Sequence, residues 1–116
     1  MAAGTYDIVC EQGASFTREF VWQDENESPI VLTGFTARMD VRATVAASDP
    51  IISLTTTNTR ITLTPAIGKI TLVLTATDTA ALPARRAVYD LELVSPSGVV
   101  TRLLQGKFTV SPEVTR

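Results

Sequence analysis

The 116 residues include no histidine. The side chains that could act as acid, base, nucleophile or metal ligand are therefore mainly the carboxylates and one thiol. Asp90 and Glu92 stand two residues apart, and a pair of carboxyl groups is what a glycosidase requires. Residues with this spacing share one face of a strand, so an acidic stripe on the water-facing side of a sheet explains the pair without catalysis. The lack of histidine also removes the Ser-His-Asp and Cys-His relays and an imidazole ligand for zinc. We therefore predict a protein that is not an enzyme and has no cofactor.

A second group of oxygen ligands lies in the acidic segment that contains Asp24, Glu25 and Glu27. Ca²⁺ prefers such oxygens, but the segment lacks the regular ligand spacing and the glycine of a calcium-binding loop. We interpret it as a solvated turn and predict no metal. Cys10 has the same strand parity as Ile8, which indicates a small buried hydrophobic residue rather than a reactive thiol.

Strands must position these groups, because apolar and polar residues alternate along most of the chain. The segment after residue 35, for example, places Met39 and Val41 on one face and Asp40 on the other. About eight or nine short strands, with turn signals every 8 to 12 residues, predict an antiparallel β-sandwich. A closed barrel or a jelly roll has the same strand pattern and stays an alternative. We also predict a break in the last strand at Gly106, and a short helix in the alanine-rich segment that ends at Pro83.

The composition describes one ordinary folded domain, with 45% hydrophobic and 19% charged residues. We predict a single domain over residues 1–116, in which residues 111–116 form a short tail. The net charge of −2 provides no electrostatic reason to expect nucleic acid or an anionic membrane as a partner. No apolar run approaches the roughly twenty residues that span a bilayer, and no secretory signal is recognised, so we expect folding in the cytoplasm. The predicted core consists of Phe20, Trp22, Met39, Leu54, Ile61, Leu63, Leu72, Tyr89, Leu91 and Phe108.

Five ordered motifs give the chain a resemblance to a known family. They are F-x-W-x-D at residues 20–24, L-T-G-x-T-A-R-M-x-V-R at 32–42, a strand that begins G-x-I-x-L at 68–74, T-A-x-L-P at 79–83, and Y-D-L-E-L followed by G-x-V-x-x-L-L-x-G at 89–106. In this order they resemble structural domains of tailed bacteriophages, typified by the amino-terminal domain of the baseplate upper protein. The resemblance covers nearly the whole chain.

The resemblance implies an immunoglobulin-like β-sandwich that assembles into a virion in the cytoplasm of the bacterial host. It predicts a connector, collar or fibre-anchoring subunit of the tail, baseplate or neck. The expected partners are other virion structural proteins and copies of the chain itself, with no nucleic acid, membrane or small-molecule substrate. The predicted contact residues are Asp24, Glu25, Glu27, Arg85, Arg86 and Arg116.

Two alternative functions stay open at this point. The first is a capsid decoration protein, which would have the same kind of sandwich at another position on the particle. The second is a carbohydrate-binding adhesion module, which needs exposed aromatic rings to stack on sugars. The chain has only four Phe, two Tyr and one Trp, and most of these are expected in the core, so few rings remain for sugars. Glycan binding that is lost on mutation of Trp22 or Tyr6 would support this alternative.

Overall fold

The computed structural model describes residues 3–115, which form nine β-strands and one short α-helix. In chain order the elements are β1 (Gly4–Thr5), β2 (Ile8–Glu11), β3 (Phe16–Val21), β4 (Thr36–Arg42), β5 (Ile52–Thr55), β6 (Ile61–Thr64), β7 (Lys69–Leu74), α1 (Ala76–Ala80), β8 (Arg86–Val94) and β9 (Val100–Ser111). A single 3₁₀ turn at Pro65–Ile67 connects β6 to β7. No helix within the described range is long and apolar enough to cross a membrane.

The strands form two sheets that pack face to face. The larger sheet has the order β1–β9–β8–β4–β5, with β2 also beside β9, and the smaller sheet has the order β3–β7–β6. Successive strands often belong to different sheets, as in immunoglobulin domains, whose variable type enlarges the three-stranded sheet with additional strands. The predicted immunoglobulin-like β-sandwich is therefore confirmed. A closed barrel would be one continuous sheet, whereas these strands form two separate sheets.

Two pairings depart from the predicted antiparallel arrangement. β1 and β2 run parallel to β9, from Gly4 opposite Leu104 to Glu11 opposite Ser111. Two parallel strands cannot be joined by a tight hairpin and need a long connection between them. Here β2 continues into β3 of the other sheet, and the chain returns to β9 only after passing through the other strands.

The core lies between the sheets and matches most of the predicted residues. Seven of the ten are buried: Met39, Leu54, Ile61, Leu72, Tyr89, Leu91 and Phe108. Phe20, Trp22 and Leu63 are only partly buried and pack against this core from its border. Phe20 and Leu63 belong to β3 and β6, the two edge strands of the smaller sheet, and Trp22 follows β3 directly. An edge strand has a neighbour on one side only, so its side chains are less completely covered.

The last strand is continuous, and the predicted break at Gly106 is wrong. Gly106 lies inside β9, opposite Tyr89 of β8. Its lack of a side chain lets the backbone of Tyr6 pass close by, since an ideal Cβ on Gly106 would be only 2.9 Å from the carbonyl carbon of Tyr6. The irregularity falls instead between Leu91 and Glu92 of β8, where Leu103 is the additional residue of a β-bulge.

The predicted helix is confirmed as α1, and its start follows from a capping box. The hydroxyl of Thr75 accepts a hydrogen bond from the backbone amide of Asp78, and the Asp78 carboxylate accepts one from the amide of Thr75. The two side chains thus satisfy amides that have no partner inside the helix. The helix ends at Ala80, before Pro83.

Candidate functional site

The acidic segment is an ordered turn whose shape depends on Asp24. The Oδ1 atom of Asp24 accepts hydrogen bonds from the backbone amides of Asn26 at 2.9 Å and Ser28 at 3.0 Å. A backbone bond from Asp24 to Ser28 closes the turn, and Glu27 adopts a left-handed φ of 64°. Glu25 and Glu27 are exposed at its tip. We call Asp24, Glu25 and Glu27 the acidic turn.

Arg85 and Arg86 are exposed at the start of β8. They lie near the carboxyl-terminal end of β9, whereas the acidic turn lies near its first half. Arg86 pairs with Thr109, whereas Asp24 lines a depression that includes Leu104. These two positions of β9 are about 17 Å apart at 3.4 Å per residue. The structure therefore does not bring the predicted contact residues onto one surface. Arg116 lies outside the described residues.

The outer face of the larger sheet carries a network of charges of both signs. The predicted acidic stripe of Asp90 and Glu92 points outward, as expected, and arginines of neighbouring strands pair with it. The ion pairs are Arg38–Glu92 at 2.9 Å, Arg42–Asp40 at 2.8 Å and Arg102–Asp90 at 3.5 Å. The hydroxyl of Ser53 also donates to Asp40 at 2.7 Å. Each of these carboxylates thus has a partner within the fold, so this face is electrostatically satisfied.

Two carboxylates of this network oppose each other, since Asp40 on β4 pairs in register with Asp90 on β8. Partial burial raises the pKa of Asp90, and the negative charges of Glu92 and Asp40 raise it further, while Arg102 and Arg42 lower it. The two aspartates border a shallow depression of about 550 Å³. The raised pKa of Asp90 follows from burial and from crowding of like charges, both of which disfavour its ionised form.

A second depression, also of about 550 Å³, lies where β3 ends beside the first half of β9. Its apolar lining includes Phe20, Trp22, Leu103 and Leu104, all of which pack only partly against the core. We call it the apolar depression. Its charged lining residues, Glu19 and Asp24, are both acidic.

Aromatic contacts support the walls of the apolar depression. The ring of Tyr6 packs edge-on against Phe20 at 5.2 Å, and Trp22 packs edge-on against Phe35 at 6.2 Å. Tyr6 is 42% exposed, and Val21, beside Phe20 in the sequence, is 50% exposed. A concave group of half-exposed apolar side chains is typical of a contact surface for another molecule.

One arginine covers neighbouring edges of the two sheets. The guanidinium of Arg18 donates to the carbonyl of Thr17 on β3 at 2.9 Å and to that of Val9 on β2 at 3.0 Å. It also lies over the ring of Phe16, 4.8 Å from the ring centre. Carbonyls of an edge strand otherwise stay available to a foreign strand, and Arg18 occupies two of them.

The opposite edge of the larger sheet, β5, is covered in a similar way. The side chain of Asn58 accepts a hydrogen bond from the amide of Thr55 and donates one to the carbonyl of Ser53. Arg60 reaches the same Ser53 carbonyl at 3.2 Å, and it also pairs with Asp78 of α1 at 3.1 Å. Asn58 therefore takes hydrogen bonds that an added strand would need.

The thiol and a buried phenol are part of the core. Burial raises the pKa of the Cys10 thiol to about 11, so it is protonated at neutral pH. Burial also raises the pKa of Tyr89 to about 12, and its hydroxyl donates to the backbone carbonyl of Tyr6. Within residues 3–115, no three or more Cys, Asp or Glu side chains are placed to hold a metal ion.

The apolar depression is not evident in the sequence. Alternation placed Phe20 and Trp22 in the predicted core, because it indicates which residues share a face but not whether the opposite sheet covers them. The consecutive leucines 103 and 104 were a detectable signal, since two adjacent apolar residues break the alternation and mark a bulge.

Comparisons with known proteins add no support to the fold assignment, which is based on the strand order and register described above. No protein-family model matches the chain, and no curated protein matches it significantly. Among solved structures, the extracellular domains 3–5 of Drosophila OTK are similar, with 13% sequence identity and a TM-score of 0.39. The similar region covers 90% of this chain and 32% of that one, so the chain spans about one third of that structure.

Proposed function

We propose that the chain is a structural subunit of a tailed bacteriophage, a connector, collar or fibre-anchoring piece of the tail, baseplate or neck. The resemblance of its five ordered motifs to phage structural domains supports the phage assignment. The observation that supports binding rather than catalysis is the apolar depression, where Phe20, Trp22, Leu103 and Leu104 are left partly uncovered beside the acidic turn.

In this role the protein acts through surface contacts to other virion proteins and to copies of itself. Many copies on a symmetric particle make modest individual contacts sufficient, because multivalent attachment raises the effective concentration of each further contact. A rigid sandwich suits this task because side chains cover backbone carbonyls at the edges of β2, β3 and β5, which limits unspecific strand pairing there.

The test is to locate the chain on purified particles of the phage that encodes it. We expect its peptides in the mass spectrum of gradient-purified virions, and immunogold label at the tail tip, neck or collar in negative-stain electron microscopy. Label over the capsid would replace this role with that of a decoration protein. Particles that contain neither peptides nor label would refute a virion function.

A carbohydrate-binding module is the second candidate, because the ring of Trp22 lines the apolar depression and the 42% exposed ring of Tyr6 packs against Phe20, which also lines it. The polar groups there are largely engaged, since Asp24 closes its own turn and Glu19 pairs with Lys69. A glycan array tests this function. Reproducible binding that is lost in both Tyr6→Ala and Trp22→Ala would favour it over the assembly role.

A further inference from the structure

Three basic residues lie together where β8 begins and β9 nears its end. Arg86 is paired in register with Thr109, and Lys107 is paired with Val88, two residues further along β8. Arg86 and Lys107 are exposed, and each precedes a buried residue of its strand, so both point outward from the larger sheet. Diagonal neighbours of this kind are about 7 Å apart. Arg85 comes directly before β8 and is also exposed. We call Arg85, Arg86 and Lys107 the basic corner.

The positive charge of the basic corner is directed to the outside of the molecule. On the same sheet face, the three arginines of the network at Asp90 and Glu92 each form an ion pair with a carboxylate. The ion pairs found among residues 3–115 involve no side chain of the basic corner. The guanidinium of Arg85 instead donates to the backbone carbonyl of Arg86 at 3.0 Å. A carboxylate of another molecule therefore displaces no ion-pair partner described here.

Other charges at this end of the larger sheet moderate the basic corner. The carboxylates there are those of Asp7, Glu11, Asp49 and Glu113. The Oδ1 atom of Asp7 accepts the backbone amide of Lys107 at 3.0 Å, and the carboxylate of Glu113 lies against the turn at Gly13. Arg18 adds a positive charge beside β2, where it donates to the carbonyl of Val9. A single contact at the basic corner is therefore weak, as contacts between exposed charges usually are.

The acidic turn carries the opposite charge at a distant place on the molecule. Glu25 and Glu27 are exposed at its tip, and the Asp24 carboxylate fixes its shape through the amides that it accepts. Its loop lies where β8 leads into β9, since an ideal Cβ on Gly34 of this loop would be 2.7 Å from the Cγ atom of Pro96. The basic corner lies at the other end of β8.

Basic side chains near the acidic turn have carboxylate partners of their own. Arg102, which points outward from the first half of β9, pairs with Asp90 at 3.5 Å. Lys69 of β7 pairs with Glu19. The two glutamates at the tip of the acidic turn appear in no ion pair among residues 3–115. The acidic turn therefore suits a partner with two neighbouring positive charges, which is what the basic corner offers.

The two surfaces of one copy cannot meet each other, because the positions of β9 beside them are about 17 Å apart. They also differ in direction, since the basic corner faces outward from the larger sheet and the acidic turn follows β3 of the smaller sheet. Complementary charges on two different surfaces favour association with further copies. A contact between two different surfaces is heterologous, so it repeats head to tail and leads to a ring or a filament.

We propose that the acidic turn of one copy binds the basic corner of the next copy, so that copies of the chain associate head to tail. In this contact Glu25 and Glu27 lie against Arg86 and Lys107 of the neighbouring copy. The inference rests on the proposed assembly function and names a second copy as the partner of these two surfaces. It is independent of where on the particle the chain lies.

Sedimentation velocity of the native protein is the first test. At low ionic strength we expect the average mass to rise with concentration and to exceed that of two copies. In about 1 M salt, where charges are screened within about 3 Å, we expect a single copy at every concentration.

Exchange of charge between the two surfaces tests the contact itself. The double variant Glu25→Lys/Glu27→Lys makes both surfaces positive, and Arg86→Glu/Lys107→Glu makes both negative. Each variant alone should self-associate about tenfold more weakly than the wild type, because attraction becomes repulsion. An equal mixture of the two should recover wild-type affinity within about threefold, since every turn then meets a corner of opposite charge.

A matched control separates this contact from the effect of net charge. Glu11→Lys/Asp49→Lys changes the net charge as much as the variant of the acidic turn does, but at two exposed carboxylates on the side of the basic corner. This control should associate at least as strongly as the wild type, because it leaves the acidic turn intact and removes negative charge near the basic corner.

Four results would overturn the proposal. They are a native protein that stays a single copy at low salt, a mixture that associates no better than its separate variants, an equal loss in the control, and a mass that stops at two copies. If virions contain the chain and it does not self-associate, only this inference fails and the assembly role stands. If it self-associates as expected and virions lack it, the virion function fails and the contact stands.

Discussion

A methyl group added at Gly106 should displace the amino-terminal strands, because the backbone of Tyr6 passes directly over this residue. An ideal Cβ at Gly106 would lie 2.9 Å from both the Tyr6 carbonyl carbon and the Asp7 Oδ1 atom, and closer still to the Tyr6 carbonyl oxygen. The Tyr6 atoms belong to the main chain and cannot rotate away. The same carbonyl accepts the Tyr89 hydroxyl, and Asp7 accepts the amide of Lys107 at 3.0 Å, so relief of the clash weakens both bonds.

The expected cost of Gly106→Ala is about 2 kcal/mol, within the range of about 1–3 kcal/mol for overpacking at a tightly packed position. Unfolding entropy of about 2.1 cal/mol/K per residue converts this cost into a change in Tm. For 116 residues, each kcal/mol corresponds to about 4 °C, so the variant should melt about 8 °C below the wild type.

Thermal unfolding followed by circular dichroism measures this effect, and Gly4→Ala is the matched control. Gly4 also lies in a strand at the junction with β9. Its Cβ would meet the Leu104 Cδ2 atom at 3.2 Å, the end of a side chain that can move, and the Leu103 carbonyl oxygen at 3.6 Å, an ordinary van der Waals distance. Neither glycine has a positive φ, so backbone strain does not distinguish them. We expect Gly4→Ala to melt within about 2 °C of the wild type. If Gly106→Ala does the same, the close approach of Tyr6 to β9 is not present in solution.

Four further predictions concern the helix, the charged face and the thiol. Thr75→Ala should lower stability by about 1 kcal/mol in urea unfolding, because it removes the capping box, and an unchanged midpoint would contradict that role. The backbone amide of Thr75 lowers the pKa of Asp78, so the stabilisation from this carboxylate is present at neutral pH and is lost as the pH falls; Asp78→Asn should therefore flatten the acid limb of the stability curve. Burial raises the pKa of Asp90, so stabilisation from its protonated form is present in acid and is lost as the pH rises; Asp90→Asn should raise the neutral-pH Tm, and a fall would mean that its ion pair dominates. Cys10, with a pKa of about 11, should react with Ellman's reagent at pH 8 only after unfolding in urea, and rapid labelling of the native protein would show that the thiol is accessible.

The regular parts of the fold could be predicted because they follow from local alternation. In β7, Ile70, Leu72 and Leu74 are buried as their period of two indicates, and Val73 between them points outward. The helix was predictable for a similar reason, since the cap at Thr75 and the stop near Pro83 are local signals.

The surfaces were less predictable, because they depend on which elements become neighbours. Tyr6 shares the strand parity of Ile8 and Cys10, yet it is exposed because the chain leaves the strand between β1 and β2. The acidic stripe at Glu92 was predicted to face water, but its pairing with Arg38 required the register of β4 against β8.

By itself the sequence determined the class of fold and the face that each regular strand buries, because period-two patterning is set by a few neighbouring residues. The lack of histidine follows directly from the composition. Only the tertiary structure decided that β1 and β2 run parallel to β9, that Arg18 covers carbonyls of two sheet edges, and that Leu103 and Leu104 line the apolar depression. These features arise from contacts between residues far apart in the chain, and strand pairing is the step that brings such residues together.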